Sequence, residues 1–268
     1  MISTSLFSAV KSPPAWLTTE DTEKNLPDNA VHVWRVLLDQ SSDRTAGALK
    51  MLSLDEREVA ARYHFNKDRQ QFVQARAGLR LVLSGYTGVD PQNLEFTYGQ
   101  QGKPALANAR SQGDLRFNLS RRDGLALIAV TRGREIGIDV ELVRRDLPFF
   151  EIAEATFSAA ESATLCNLPE SALSRGFYNC WTRKEAFVKA IGEGLSFPLK
   201  QFDVSLIPNE PARLIAVRAK NSHTNKSNRW KLYDIAAGEN YVAALVVERN
   251  NLNITCSVRD WAPSVDCC

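Results

Sequence analysis

The stretch IGIDVE, residues 136–141, reads as a buried strand that carries two carboxylates. Side chains alternate between the faces of a strand, so Gly137, Asp139 and Glu141 share one face and three apolar side chains share the other. Neighbouring carboxylates raise each other's pKa unless a cation compensates, which predicts a Mg²⁺ site on this face. We expect Gly137 to leave room there for a ligand. Spacing alone favours a simpler alternative, an exposed strand whose carboxylates pair with Lys or Arg across the sheet.

A predicted helix about 40 residues downstream carries a second group of charged side chains. In WTRKEAFVKAIGEGLSFPL, residues 181–199, Glu185 and Lys189 are four positions apart and lie on one helical face. Glu185 is a candidate third metal ligand or base, and Lys189 is a candidate phosphate ligand. An ordinary surface pair of Glu and Lys explains the same spacing and adds only a few tenths of a kcal/mol.

Two further segments offer groups that suit phosphate recognition. In QQGKPAL, residues 100–106, Lys103 lies in a short turn whose backbone can approach an anion. In FNLSRRDG, residues 117–124, a predicted strand ends with Asn118, Ser120, Arg121 and Arg122. Each segment alone is typical of a solvated turn. Together, the three clusters predict a carboxylate-bound metal and a phosphate cradle, which indicates phosphoryl-type chemistry.

Composition excludes several classes of protein. The 33 basic and 31 acidic residues give a formal net charge of +2, so no bulk field indicates nucleic acid or a membrane as partner. Apolar runs fall short of the roughly 20 residues that span a bilayer, and the N-terminal sequence does not resemble a secretory signal. We therefore expect a cytoplasmic protein. No CxxC pair indicates a zinc or redox site, and we expect Cys267 and Cys268 to lie in a tail.

The order of the predicted elements favours an α+β fold. A long helix followed by strands and an antiparallel meander occurs twice, at residues 67–88 and again from residue 175. We infer two pseudo-twofold-related halves, each an antiparallel sheet packed on a long helix, with a ligand cleft between them in a monomer. The predicted boundaries are a loose arm at 1–30, halves at 31–138 and 139–262, and a tail at 263–268.

Residues 136–141 and 181–199 together resemble the 4'-phosphopantetheinyl transferase family, of the large, two-halved Sfp type. The GKP turn, FNLS and FSAAE (residues 157–161) match smaller motifs of that family in the same order, and the resemblance covers roughly residues 50–205. It implies an enzyme that moves the phosphopantetheine arm of coenzyme A onto a serine of a carrier protein. The leaving product would be adenosine 3',5'-bisphosphate.

The resemblance also implies roles for individual residues. The metal ligands would be Asp139, Glu141 and Glu185, with Glu185 also activating the carrier serine. Lys189 would bind the α-phosphate, and Lys184 would add charge near the pyrophosphate. The nucleotide end and its 3'-phosphate would be held by Lys103, Asn118, the backbone of Leu119, and Ser120.

Two departures from the family pattern concern basic residues. Arg121 stands where the family usually has His, and a fixed cation there should still bind a phosphate with less pH dependence. The basic residues of the family's N-terminal helix align loosely, and among Arg57, Arg62 and Arg76 we favour Arg62 as a coenzyme A ligand. Glu161 of FSAAE is either a supporting site residue or part of a helix cap.

Two other classes of function share some of these features. A metal-dependent phosphohydrolase or nuclease also uses paired carboxylates and a Lys, but it predicts a basic groove that the balanced charge argues against. A non-catalytic module that binds carrier proteins would not need Asp139, Glu141, Glu185 and Lys189 together.

Overall fold

The computed structural model describes residues 26–38, 42–110, 113–218, 227–249 and 254–261. Most of the predicted N-terminal arm and the tail with Cys267 and Cys268 lie outside these residues. The helices are α1 (Ser42–Met51), α2 (Leu54–Ala61), α3 (Asn66–Thr87), α4 (Phe149–Thr156), α5 (Ala159–Cys166) and α6 (Glu170–Ile191). The strands are β1 (Ala30–Leu37), β2 (Phe96–Tyr98), β3 (Pro104–Leu106), β4 (Leu115–Arg122), β5 (Leu125–Arg132), β6 (Ile136–Leu142), β7 (Phe202–Val204), β8 (Leu214–Val217), β9 (Trp230–Asp234), β10 (Tyr241–Glu248) and β11 (Thr255–Trp261).

Two main sheets lie between the two long helices. The first sheet has the strand order β11-β1-β5-β4, and the second has the order β6-β10-β9. Apolar side chains of β1 and β5 pack against those of β6 and β10, so the sheets share a core. The opposite face of the first sheet packs on α3, and that of the second packs on α6. The fold is therefore layered in the order helix, sheet, sheet, helix, which confirms the predicted α+β class.

Local sequence signals fix the ends of several helices. Ser53 caps α2, and its backbone N–H donates to Oε2 of Glu56 at 3.1 Å. Both long helices end at a glycine in the left-handed conformation, Gly88 with φ 70° after α3 and Gly192 with φ 74° after α6. None of the helices described in this structure has the length and apolar character that crossing a bilayer requires.

The strand at the end of the chain differs from the expected arrangement. The sequence assigns β11 to the second half, but it pairs in parallel with β1 of the first sheet, so that sheet is mixed rather than antiparallel. The predicted boundary between residues 138 and 139 also lies inside β6. The parallel pairing of β11 was not predicted because pairing between distant segments leaves no local pattern in the sequence.

Candidate active site

Strand β6 and helix α6 approach each other unusually closely at Gly137. A Cβ atom at this position would overlap the carbonyl oxygen of Ala186 and the backbone nitrogen of Ala190. The expectation that Gly137 leaves room for a ligand is therefore wrong, because the α6 backbone fills that space. The small residue instead lets the helix lie directly on the strand.

This close packing brings charged side chains of α6 to the carboxylates of β6. Nζ of Lys189 lies 2.6 Å from Oδ1 of Asp139, and it also donates to Oγ of Ser120 at 3.1 Å. The Ser120 hydroxyl donates in turn to the same Asp139 oxygen at 3.0 Å. A Lys of α6 and a Ser of β4 thus both donate hydrogen bonds to one carboxylate oxygen of β6.

Side chains of β4 hold it alongside β6. Oδ1 of Asn118 accepts a hydrogen bond from the backbone N–H of Ile138 at 2.8 Å. Two residues further along both strands, Oγ of Ser120 accepts from the N–H of Val140 at 3.3 Å. Asn118 and Ser120 are both buried, so the contact between the two sheets depends on them.

The three predicted carboxylates influence one another electrostatically. Burial raises the pKa of Glu141, and the negative charge of Asp139 raises it further. Burial also raises the pKa of Glu185, again with Asp139 as the next cause. Asp139 is only 4% exposed, and its Oδ2 atom is buried without a hydrogen-bond partner. The face therefore concentrates negative charge that the described cations only partly neutralise.

This donor set fits a hard divalent cation such as Mg²⁺. Buried carboxylate oxygens normally have a partner, so the free Oδ2 atom of Asp139 is suited to a metal. Glu141 and Glu185 supply further oxygen ligands of the type that Mg²⁺ prefers. Among the described residues, no three acidic, histidine or cysteine side chains already form a complete metal-binding group. The fit therefore rests on the chemistry of the donors and on the unpaired oxygen.

Lys184 does not face this site. Its side chain is 1% exposed, and Nζ forms an ion pair with Glu161 at 2.8 Å. The same nitrogen donates to the carbonyl oxygens of Leu199 at 2.8 Å and Phe202 at 2.7 Å. The prediction that Lys184 adds charge near a pyrophosphate is therefore wrong, because the residue is enclosed in the core of the second half.

Glu161 has a structural role in the same place. It completes the capping box of α5 by accepting from the N–H of Ser158 at 2.8 Å, and it also accepts from the N–H of Val204 at 2.7 Å. Of the two interpretations open from the sequence, the structure supports the helix cap.

A small cavity lies beside Lys189. Its volume is about 190 Å³, and it is lined by Gln101, Gly102, Lys103, Asn118, Val188, Lys189, Gly192 and Gly194. The ammonium group of Lys103 donates to the carbonyl oxygens of Ile136 at 3.0 Å and Ala190 at 3.1 Å and pairs with Glu135 at 3.2 Å. Burial lowers the pKa of Lys103. Lys103 thus joins β6 to the end of α6 as well as lining the cavity.

The basic residues near the N-terminal helices divide into two groups. Arg57 and Arg76 are bonded within the first half, Arg57 to the carbonyl oxygens of Leu52 and Lys50 and Arg76 to Glu56 and Tyr98. Arg62 is exposed at the end of α2, with no described contact to the carboxylates. The guanidinium of Arg121 donates to the hydroxyl of Tyr63 at 2.8 Å and lies over the rings of Tyr63 and Phe72.

Two contacts of this region, between Tyr63 and Arg121 and between Arg122 and Glu141, were not predicted from the sequence. Tyr63 fixes Arg121, and the only signal was an aromatic residue directly after Arg62. Arg122 was grouped with the phosphate-binding candidates, yet its Nε lies 2.9 Å from Oε2 of Glu141. Leu119, predicted to act through its backbone, is half-buried on β4 between Asn118 and Ser120.

Comparisons with known proteins agree with the residue pattern. A family model described as the 4'-phosphopantetheinyl transferase superfamily matches residues 135–246, and one described as 4'-phosphopantetheinyl transferase, N-terminal, matches residues 39–132. The chain is 36% identical to 4'-phosphopantetheinyl transferase HetI of Nostoc sp., over 87% of this chain and 93% of the relative.

Two more distant relatives carry similar names. The chain is 29% identical to 4'-phosphopantetheinyl transferase Sfp of Bacillus subtilis, over 62% of this chain and 71% of the relative. It is 27% identical to the Homo sapiens L-aminoadipate-semialdehyde dehydrogenase-phosphopantetheinyl transferase, over 60% of this chain and 55% of the relative. The matches cover both halves and both carboxylate-bearing motifs, and the chain belongs to the 4'-phosphopantetheinyl transferase superfamily.

Proposed function

We propose that this protein transfers the 4'-phosphopantetheine arm of coenzyme A to a serine hydroxyl of an apo carrier protein. In the reaction, the serine oxygen bonds to the pantetheine-bearing phosphorus and the bond from that phosphorus to the bridging oxygen breaks. Adenosine 3',5'-bisphosphate leaves with the electron pair, and the serine proton passes to a base. The observation that carries this proposal is the cluster at Asp139, where a Lys and a Ser bond to a carboxylate with one unpaired oxygen and two further carboxylates interact with it electrostatically.

The acidic residues have two proposed tasks. Mg²⁺ held by Asp139, Glu141 and Glu185 would neutralise the charge that develops on the pyrophosphate oxygens. Glu185 would also accept the serine proton, directly or through water. Burial and the charge of Asp139 raise the pKa of Glu185 in the metal-free protein. A carboxylate placed beside the reacting serine can accept its proton.

Lys189 is the proposed ligand of the α-phosphate. Its ammonium group is already oriented by Asp139 and Ser120, so little reorganisation is needed when negative charge increases in the transition state. A cation fixed in this way stabilises the transition state more than a freely moving surface Lys would.

The nucleotide end of coenzyme A is assigned to the cavity beside Lys189 and to the adjoining end of β4. The proposed ligands are Lys103, Asn118, the backbone of Leu119, Ser120, Arg121 and Arg62. Arg121 suits the 3'-phosphate because its guanidinium keeps its charge at any physiological pH and is held in place by Tyr63. The whole set lies within one chain, which is consistent with a monomer, and a cytoplasmic location stays a prediction from the sequence.

Transfer to a defined carrier tests the proposal. The protein is incubated with coenzyme A, Mg²⁺ and apo carrier proteins of the fatty-acid, polyketide and peptide types, and each carrier is weighed by mass spectrometry. We expect at least one type to gain one phosphopantetheine arm. A carrier whose acceptor serine is replaced by Ala serves as the control and should gain nothing. If no carrier of the three types gains the arm, the proposal fails.

A further inference from the structure

Arg122 occupies a position beside the carboxylate cluster that the proposed reaction does not use. It is the last residue of β4 and lies two positions after Ser120, whose hydroxyl oxygen accepts a hydrogen bond from the N–H of Val140. Continuing two residues along both strands brings Arg122 to the end of β6. There its Nε lies 2.9 Å from Oε2 of Glu141, close enough for a charge-assisted hydrogen bond.

The charges in the cluster are nearly balanced without a metal. Lys189 pairs with Asp139, and Arg122 pairs with Glu141 at 2.9 Å. Arg122 also lies 3.6 Å from Asp123, but that carboxylate has a closer partner in Arg144 at 3.1 Å, so we do not count it in the cluster. Within the described part of the chain, Glu185 has no ion pair. Two cations therefore face three carboxylates, which leaves a formal charge of −1. A divalent cation would change this to +1 if both side-chain cations stayed in place, and repulsion from those two cations would weaken its binding.

Arg122 cannot relieve this conflict by losing its charge, because a guanidinium stays protonated in proteins. It can relieve it by moving. The Arg122 side chain is 43% exposed, whereas that of Glu141 is 17% exposed, so the pair lies at the rim of the site with the cation on the solvent side. Movement of Arg122 into water would free Oε2 of Glu141 for another cation.

We propose that Arg122 is an internal competitor of the divalent cation: it neutralises Glu141 while the cation is absent and weakens cation binding to the free protein. This inference rests on the proposed function, which assigns Glu141 to the metal. Arg122 is a positioning residue in this account, because it acts through Glu141. Its removal should therefore strengthen metal binding, which is the reverse of what loss of a ligand or of a supporting contact would do.

Binding of Mn²⁺ to the full-length protein without coenzyme A tests this inference. Mn²⁺ prefers the same oxygen ligands as Mg²⁺, and its free concentration can be followed by electron paramagnetic resonance. The variants are Arg122→Gln, which removes the charge, and Arg122→Lys, which keeps it. Arg229→Gln is the matched control, since Arg229 is a similarly exposed arginine whose ion pair is with Glu248, away from the cluster. Mildly alkaline buffer keeps Glu141 ionised in every variant.

We expect Arg122→Gln to bind Mn²⁺ about three- to tenfold more tightly than the wild type. Arg122→Lys and Arg229→Gln should stay within about twofold of the wild type. The inference is overturned if Arg122→Gln binds equally or more weakly, or if Arg229→Gln tightens binding as much. If neither the wild type nor any variant binds Mn²⁺, the metal assignment of the proposed function falls together with the inference. If the wild type binds and Arg122→Gln binds no better, only the inference falls.

Discussion

The long helices α3 and α6 are alike in construction and different in how they use charge. Each has 22 residues, ends at a left-handed glycine and packs on one of the two main sheets. Each also follows a short helix with a capping box, at Ser53 and Glu56 for α2 and at Ser158 and Glu161 for α5. This correspondence supports the pseudo-twofold relation between the halves.

In both halves the capping-box glutamate also pairs with a buried basic residue of the long helix. Glu56 pairs with Arg80 of α3 at 2.7 Å, and Glu161 pairs with Lys184 of α6 at 2.8 Å. All four side chains are almost fully buried. These pairs attach a short helix to a long one, so a buried cation is a structural feature common to both halves.

Helix α6 has a second set of charges that α3 does not reproduce. Glu185 and Lys189 lie on the side that contacts β6, whereas Arg76 of α3 is bonded to Glu56 and Tyr98 within its own half. Charged side chains that are paired within one half join the elements of that half. Charges at the contact between β4, β6 and α6 are available for chemistry.

Breaking the buried pair of α6 should have the largest effect on stability. In Lys184→Met, Glu161 keeps its charge in the core without a cation, so we expect the free energy of unfolding to fall by about 3–5 kcal/mol. Urea denaturation measures this, and the double variant with Glu161→Gln should recover part of the loss. If Lys184→Met were as stable as the wild type but did not bind coenzyme A, Lys184 would have to be a ligand-binding residue.

Loss of the second α6 cation should affect transfer more than stability. In Lys189→Met, we expect the transfer rate at saturating coenzyme A to fall about a hundredfold or more, because a charge oriented toward the phosphate is missing. Stability should fall less than in Lys184→Met. Lys67→Met, at an exposed position of α3, is the control and should leave transfer unchanged. A Lys189→Met rate within a few-fold of the wild type would contradict the assignment.

The contact of each long helix with its sheet can be compared through one glycine. In Gly137→Ala the new methyl group meets the α6 backbone, which cannot move alone, so we expect a loss of about 1–3 kcal/mol and reduced transfer. In Gly78→Ala on α3 the methyl group lies 3.2 Å from a side-chain atom of Val36, and improved helix propensity offsets the crowding. Thermal unfolding of both variants checks this. Equal losses would show that the two contacts are equivalent.

The smallest expected effect concerns the contribution of α3 to ligand binding. Arg121 lies over Phe72 of that helix, and we expect Arg121→Ala to raise KM for coenzyme A about tenfold through loss of one phosphate contact. Dephospho-coenzyme A lacks the 3'-phosphate, so its KM should change little. Tyr63→Phe, which removes only the hydroxyl that holds Arg121, should have a smaller effect in the same direction. An equal rise in KM for both donors would exclude Arg121 as a 3'-phosphate ligand.

Local sequence patterns are sufficient to predict several features of these helices and strands. Caps, helix ends and strand alternation depend on neighbouring residues, so Ser53, Gly88 and the two faces of β6 could be predicted. The i,i+4 spacing also placed Glu185 and Lys189 together.

Features that depend on distant packing could not be predicted in this way. Lys184 and Lys189 look alike in the sequence, and only the packing of α5 shows that Lys184 points into the core. The space beside Gly137 is filled by a helix about 50 residues away in the chain. The pairing of β11 with β1 joins opposite ends of the described chain.

In the proposed function, the carboxylates of β6 and α6 together support phosphopantetheine transfer. The most direct test measures transfer by Asp139→Ala and Glu185→Ala with a carrier that the wild type modifies, alongside thermal unfolding of each variant. We predict that both variants stay folded and that neither transfers the arm at a detectable rate. Near-normal transfer by either folded variant would contradict the proposed role of these carboxylates.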